Sequence, residues 1–133
     1  MKGHAAHNEA ASDVLHSSGA FPDWVITTAF YSAMHLVYER LFPIQADGTT
    51  YPNFEAYYAQ KYARKAAPDK PTKHDATVDL VKAHLPAVAS NYRLLKDSCH
   101  NARYRNYKVK PYEAATARNQ LHSIKAGLAA KKK

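Results

Sequence analysis

Apolar residues recur at spacings of three and four along most of the chain, which is the pattern of helices that bury one face. The clearest stripe lies in the segment 24–42 and consists of Ile26, Phe30, Ala33, Val37 and Leu41. No segment alternates apolar and polar residues over five or more positions, so no strand is predicted. The pattern therefore predicts an all-α protein.

Caps and breaking residues divide the chain into five or six helices. Helices are predicted over about residues 4–17, 24–42, 53–67, 73–85, 87–107 and 111–130, and residues 43–52 are predicted to form a loop. The candidate N-caps are Asp23, Asn53 and either Thr72 or Asp75. Short connections favour an antiparallel helical bundle.

At 133 residues the chain is long enough for one hydrophobic core, so residues 1–133 are predicted to form a single domain. A flexible, lysine-rich tail is expected at about residues 129–133. Cys99 is the only cysteine, which excludes an intrachain disulfide, and the first residues MKGHAAHNEA lack the apolar run of a signal peptide. No segment has the roughly 20 apolar residues of a membrane span. A cytoplasmic protein that does not insert into a membrane is expected.

The net charge of +8 is distributed unevenly along the chain. Residues 1–60 hold two basic residues against six acidic ones, a balance of −4, whereas residues 61–133 hold seventeen against five, a balance of +12. A cationic half of this size attracts polyanions such as RNA, and it also attracts an acidic partner protein or the acidic half of another copy. Solubility and a basic tail explain the same imbalance without any partner.

Charged and aromatic residues concentrate in the segment YRLLKDSCHNARYRNY, residues 92–107. Arg93 and His100 are seven residues apart, so on a helix they share a face and lie about 10.5 Å apart along the axis. Asp97 lies between them on that face. The buried stripe of the same helix is predicted to be Val88, Tyr92, Leu95, Cys99 and Ala102.

Arg93 and His100 can act on one phosphodiester, because a guanidinium holds phosphate oxygens bidentately and an imidazole moves a proton. Asp97 can orient the imidazole of His100, or it can pair with Arg93 four residues away. The candidate residues for binding phosphates and bases around this pair are Arg103, Tyr104, Arg105, Tyr107 and Lys108. A solvated basic helix in which Arg93 pairs with Asp97 explains the same residues without a ligand.

These helices resemble those of the HEPN family of prokaryotic helical-bundle proteins. The residues that carry the resemblance are Trp24, Phe30, Tyr31, Ala33 and His35 in the first segment, His74 in the middle, and Tyr92, Leu95, Ala102, Arg103 and Tyr104 in the second. The resemblance covers roughly residues 20–128. It implies a HEPN-like bundle that forms a homodimer.

Many HEPN proteins are metal-independent endoribonucleases with an arginine and a histidine separated by a short spacer. Arg93 and His100, separated by LLKDSC, fit the longest spacer of that pattern. The resemblance therefore implies an RNA- or nucleotide-binding protein and allows a toxin-like or defence ribonuclease that is held by an antitoxin. His100 would transfer protons while the RNA 2′-hydroxyl attacks the adjacent phosphate, and Arg93 would stabilise the phosphorane.

Active members of the family usually have a polar residue after the arginine, whereas this chain has Leu94. The alternative prediction is therefore a non-catalytic interaction module that dimerises or binds an acidic protein. His35 is a candidate for a second pocket group, although a boundary histidine bonded to a neighbouring helix explains it equally. No cofactor and no metal are expected, because the histidines near the N-terminus lack the further ligands of a closed site.

Overall fold

The computed structural model describes residues 3–66, 69–104 and 108–131, which contain six α-helices and one short β-hairpin. The predicted all-α helical bundle is confirmed. The elements in chain order are α1 (His4–Ser18), α2 (Pro22–Leu41), β1 (Ile44–Ala46), β2 (Thr49–Tyr51), α3 (Phe54–Lys61), α4 (Lys73–His84), α5 (Pro86–Tyr104) and α6 (Pro111–Lys131).

Helix α2 occupies the centre of the bundle and runs antiparallel to both α1 and α5. The Ser32 hydroxyl, late in α2, donates to the carbonyl of Ala5 at the start of α1 at 2.8 Å. On the other side, the Phe30 ring lies 5.6 Å from the ring of Tyr92, which is early in α5. Because α2 contacts neighbours on several sides, nine of its twenty residues are buried.

Helix α6 closes the bundle against α1, α2 and α5 and runs antiparallel to α1 and α5. The Lys125 ammonium lies 2.8 Å from the Glu9 carboxylate of α1, and Arg118 pairs with Asp13 one turn further along α1. The last turns of α6 pack on the start of α5, which places Gly127 against Val88. Helix α6 continues to Lys131, into the region of the predicted tail.

The core is continuous from α2 to α6. The buried stripe predicted for α5 is confirmed in full, since Val88, Tyr92, Leu95, Cys99 and Ala102 are all at most 5% exposed. Burial raises the pKa of the Cys99 thiol, which disfavours the reactive thiolate. This stripe fixes the rotation of α5 and hence which of its polar residues face the neighbouring helices.

Residues 43–52 were predicted to form a loop without strands, and this prediction is wrong. Strands β1 and β2 pair antiparallel through a two-residue turn, Asp47-Gly48, in which φ is +53° and +76°. Positive φ at both positions is what a tight hairpin turn requires, and an Asp-Gly pair adopts it readily. The strands are too short for an alternating pattern to be visible in the sequence.

The helix starts follow the predicted caps except in α2. The side chains of Asn53 and Thr72 accept hydrogen bonds from the backbone N–H groups of Ala56 and Asp75, at 2.9 Å and 3.1 Å. Helix α2 instead begins at Pro22, so the prediction of Asp23 as its N-cap is wrong. Proline is favoured in the first turn because its fixed φ is helical and its missing N–H is not needed there.

Candidate functional site

A cleft of about 730 Å³ lies between α2, the first turn of α4 and the C-terminal half of α5, and we call it the α2–α4–α5 cleft. The α5 wall is made by residues next to the buried stripe, at positions 96, 97, 100, 101 and 103. Because residues three, four and seven apart share a helix face, Lys96, His100 and Arg103 point toward the same side. The cleft is lined by Phe30, Tyr31, Thr72, His74, Asp75, Lys96, Asp97, Cys99, His100, Asn101 and Arg103.

Helix α4 brings a histidine and an aspartate, His74 and Asp75, to the cleft. Its N-cap Thr72 fixes the first turn, and one turn later the buried Thr77 hydroxyl hydrogen-bonds to the hydroxyl of Tyr38 on α2 at 2.8 Å. These two anchors hold His74 and Asp75 opposite α5. No periodic pattern predicts this arrangement, because it depends on how α4 packs against α5.

Lys96 is held by two carboxylates at the cleft wall. Its ammonium lies 3.0 Å from Asp75 and 3.2 Å from Asp97. Burial opposes the charge on Lys96, but the hydrogen bonds to the two carboxylates outweigh it and raise the pKa of the lysine. The hydrogen bond from the Lys96 ammonium also lowers the pKa of the Asp75 carboxyl. The three groups together therefore carry a net charge of −1 in the described structure.

His74 lines the cleft, and its surroundings disfavour the protonated form of its imidazole. Burial lowers its pKa, and the charges of Lys96 and Arg103 lower it further, while Asp75 acts in the opposite direction. Its ring packs edge-on against Phe30 at 5.2 Å. The buried Nδ1 atom has no hydrogen-bond partner among the described residues. A buried polar atom of this kind is costly unless a ligand or water satisfies it.

The predicted pair of Arg93 and His100 is divided by this geometry. His100 lines the α2–α4–α5 cleft together with Asp97, whereas Arg93 is exposed and is not among the lining residues. In the described part of the chain, the ion pair of Asp97 is with Lys96, and none joins Asp97 to Arg93. The cation that the cleft places beside His100 is instead Arg103, from the predicted phosphate-binding set.

The remaining predicted contacts lie near the end of α5. Lys108 is exposed, and Arg103 lines the cleft. The predictions for Arg105 and Tyr107 lie outside the described residues, as does the prediction for the side chain of Tyr104, although its backbone belongs to α5.

His35 lines a different pocket, of about 490 Å³, between α1, α2 and the start of α3. Its ring stacks on that of His4 with centroids 4.9 Å apart. Burial lowers the pKa of His35, and the neighbouring His4 lowers it further. His35 therefore packs against a neighbouring helix and does not reach the α2–α4–α5 cleft.

Most of the lining residues were absent from the predicted site, among them the basic residues His74 and Lys96. His74 was named among the residues that resemble the HEPN family, and no role was predicted for Lys96. No sequence pattern places either residue beside His100, because the cleft forms only when α4 packs across α5. Within the described ranges, no group of three or more metal-ligating side chains is present and no helix is long and apolar enough to cross a bilayer.

The lowered pKa values of His35 and His74 predict a loss of stability in mild acid. Each folded pKa lies below 6.5, so the unfolded chain takes up protons first as the pH falls below that value. Stability is fully present above the unfolded pKa and is lost as the pH falls through the folded pKa. Urea unfolding at about pH 7 and about pH 5 measures this loss.

We expect His74→Gln to lose less stability between these pH values than the wild type, because it removes one of the two groups. His122→Gln, at an exposed position on α6, is the matched control and should behave as the wild type does. An unchanged pH dependence in His74→Gln would contradict the prediction.

No family model matches the chain. No significant match was found among curated proteins or among solved structures. The resemblance to the HEPN family therefore stays a prediction from the sequence.

Proposed function

We propose that this protein binds RNA through the α2–α4–α5 cleft. The supporting observation is that two histidines, a lysine and an arginine from two helices converge there: His74, Lys96, His100 and Arg103. A cleft of this size accepts a ligand of nucleotide dimensions. The charge of +12 on residues 61–133, which supply all four groups, attracts the RNA backbone.

Each group has a chemical role in this proposal. The Arg103 guanidinium holds phosphate oxygens bidentately, and Lys96 contributes a point charge once a phosphate displaces a carboxylate from it. The half-buried Tyr31 ring offers a surface on which a base can stack. The carboxylates of Asp75 and Asp97 oppose the binding of an anion in the cleft. An RNA phosphate must therefore compete with them for Lys96.

The catalytic version of the proposal is metal-independent RNA cleavage in a toxin–antitoxin or defence system. The 2′-hydroxyl attacks the adjacent phosphate while His100 accepts its proton, and a cation stabilises the phosphorane. The bond from phosphorus to the 5′-oxygen then breaks, which leaves a 2′,3′-cyclic phosphate, and the departing 5′-oxygen receives the proton from His100. Arg93 is the cation implied by the family resemblance, and Arg103 is the one that shares the cleft with His100. An antitoxin of acidic character would then cover the cleft.

Incubation of the pure protein with total RNA in EDTA tests the catalytic version. We expect cleavage, and we expect His100→Ala to reduce its rate by about 10²-fold or more, because proton transfer contributes about that factor. His122→Ala, on the exposed face of α6, is the matched control and should cleave normally. Absence of cleavage by the wild type, or full activity in His100→Ala, would refute the catalytic version and leave RNA binding to be measured directly.

A second function, a non-catalytic module that dimerises or binds an acidic protein, is favoured by one observation. Arg93 lies outside the cleft, and its neighbour Leu94 is 44% exposed on the outer face of α5. Arginine is enriched at protein–protein interfaces, and the exposed leucine adds apolar area beside it. Light scattering tests whether the protein dimerises, and purification tests whether a partner protein accompanies it. A protein that stays monomeric at high concentration and copurifies with no partner would argue against this function.

A further inference from the structure

Three lysines surround a cluster of tyrosines beside the α2–α4–α5 cleft. The ring of Tyr58, on α3, lies 5.3 Å from the ring of Tyr62, which directly follows α3. Lys61 lies 6.0 Å from the Tyr62 centroid and 5.7 Å from that of Tyr57. Lys70 and Lys73 lie 5.2 Å and 5.9 Å from the centroid of Tyr58. We call these residues the tyrosine–lysine patch: Tyr57, Tyr58, Tyr62, Lys61, Lys70 and Lys73.

The patch is continuous with the cleft along the chain. Lys73 is the first residue of α4, and both of its neighbours, Thr72 and His74, line the cleft. The Tyr58 hydroxyl donates to the Pro71 carbonyl at 2.7 Å, which ties the segment before α4 to α3. A ligand that leaves the cleft over the first turn of α4 therefore meets Lys73 and then Lys70.

The charge of the patch is strongly positive and its ammonium groups are exposed. Residues 61–73 contain five basic residues and one acidic residue, Asp69. Lys61, Lys70 and Lys73 are exposed, although Glu55 pairs with Lys73 at 2.9 Å. Contacts between an ammonium and an aromatic ring restrict the lysine side chains, so less entropy is lost when they bind an anion.

We propose that the tyrosine–lysine patch binds the backbone of single-stranded RNA outside the α2–α4–α5 cleft and so extends the binding site along the strand. This inference rests on the proposed RNA binding and adds a second contact region to it. A row of cations that leads away from a cleft suits a linear polyanion. A membrane is disfavoured, because Tyr57 and Tyr62 are buried and cannot insert among lipids.

Fluorescence anisotropy with labelled single-stranded RNA of two lengths, about 3 and about 12 nucleotides, tests the proposal. We expect the wild type to bind the longer RNA more tightly. Lys61→Glu and Lys70→Glu should each lower the affinity for the longer RNA about tenfold at low salt and leave the affinity for the shorter RNA unchanged. Each should also reduce the slope of log affinity against log salt by about 0.7, the value for one phosphate contact on a single strand.

Lys82→Glu is the matched control, because it makes the same charge change on an exposed lysine of α4. Lys82 lies nine residues beyond Lys73, about 13 Å further along the helix and on its opposite face. Circular dichroism of each variant establishes that the helices are intact. We expect Lys82→Glu to bind both RNAs nearly as the wild type does.

The possible outcomes separate the patch from the cleft. If the wild type binds the longer RNA and the two patch variants bind it equally well, the patch proposal is overturned and RNA binding by the cleft stands. The same conclusion follows if Lys82→Glu weakens the longer RNA as much as Lys70→Glu, since overall charge then explains the effect. If the wild type binds neither RNA, the proposed function fails and the patch proposal fails with it.

Discussion

Replacing Lys96 with glutamine is expected to weaken the binding of single-stranded RNA by about a hundredfold at low salt. The substitution removes a phosphate contact and leaves the carboxylates of Asp75 and Asp97 facing the α2–α4–α5 cleft without a cation between them. Without that cation, the two carboxylates repel the RNA phosphates in a partly buried site, and this repulsion lowers the affinity. Anisotropy with labelled RNA measures the change, and circular dichroism checks the fold.

Lys125→Gln is the matched control for this experiment. Lys125 also pairs with a carboxylate, that of Glu9, but it links α6 to α1 and does not line the cleft. The converse variant Asp97→Asn removes a competing carboxylate, so it should bind RNA several-fold more tightly. Equal affinity in Lys96→Gln and the wild type would show that the cleft is not the binding site. Weaker binding in Asp97→Asn would show that the carboxylates do not compete with RNA.

Replacing Gly127 with valine is expected to reduce the free energy of unfolding by about 3 kcal/mol. A Cβ atom at this position would lie 2.4 Å from Cγ1 of Val88, which is too close for any real contact. Val88 is 2% exposed and is β-branched, so its side chain has few rotamers with which to move away. The clash therefore has to separate α5 from α6. Urea denaturation followed by circular dichroism measures the loss.

The neighbouring substitution Ala126→Val is the matched control, because residue 126 is exposed and also lies in α6. It should cost only about 0.5 kcal/mol, the difference in helix propensity between alanine and valine. Adding Val88→Ala to Gly127→Val should restore part of the stability by making room for the new side chain. A loss in Gly127→Val no larger than that in Ala126→Val would contradict the predicted contact.

Much of the fold could be predicted because it depends on local rules. The stripe from Val88 to Ala102 was buried as predicted, since apolar residues at spacings of three and four have one way to leave water on a helix. Asn53 and Thr72 were recognisable as caps because their side chains bond to N–H groups within the same turn. The hairpin at Asp47-Gly48 was missed because strands of three residues are too short to alternate visibly.

The candidate site could be predicted only in part. Asp97 and His100, which helical spacing predicted to share a face of α5, both line the cleft, and so does Arg103 from the predicted phosphate-binding set, whereas Arg93 does not. The partner of Asp97 could not be predicted in the same way. Asp97 pairs with Lys96, its neighbour in sequence, and the same ammonium reaches Asp75 only because α4 packs against α5.

The sequence by itself determined the helices, their buried faces and the concentration of positive charge in residues 61–133, because periodicity, caps and composition are properties of the chain alone. Only the tertiary structure decided that His74 and Lys96 join His100 and Arg103 in one cleft, while His35 stacks on His4 in another pocket. Those contacts join residues far apart in sequence. They depend on the docking of α4 against α5 and of α1 against α2, which no local pattern encodes.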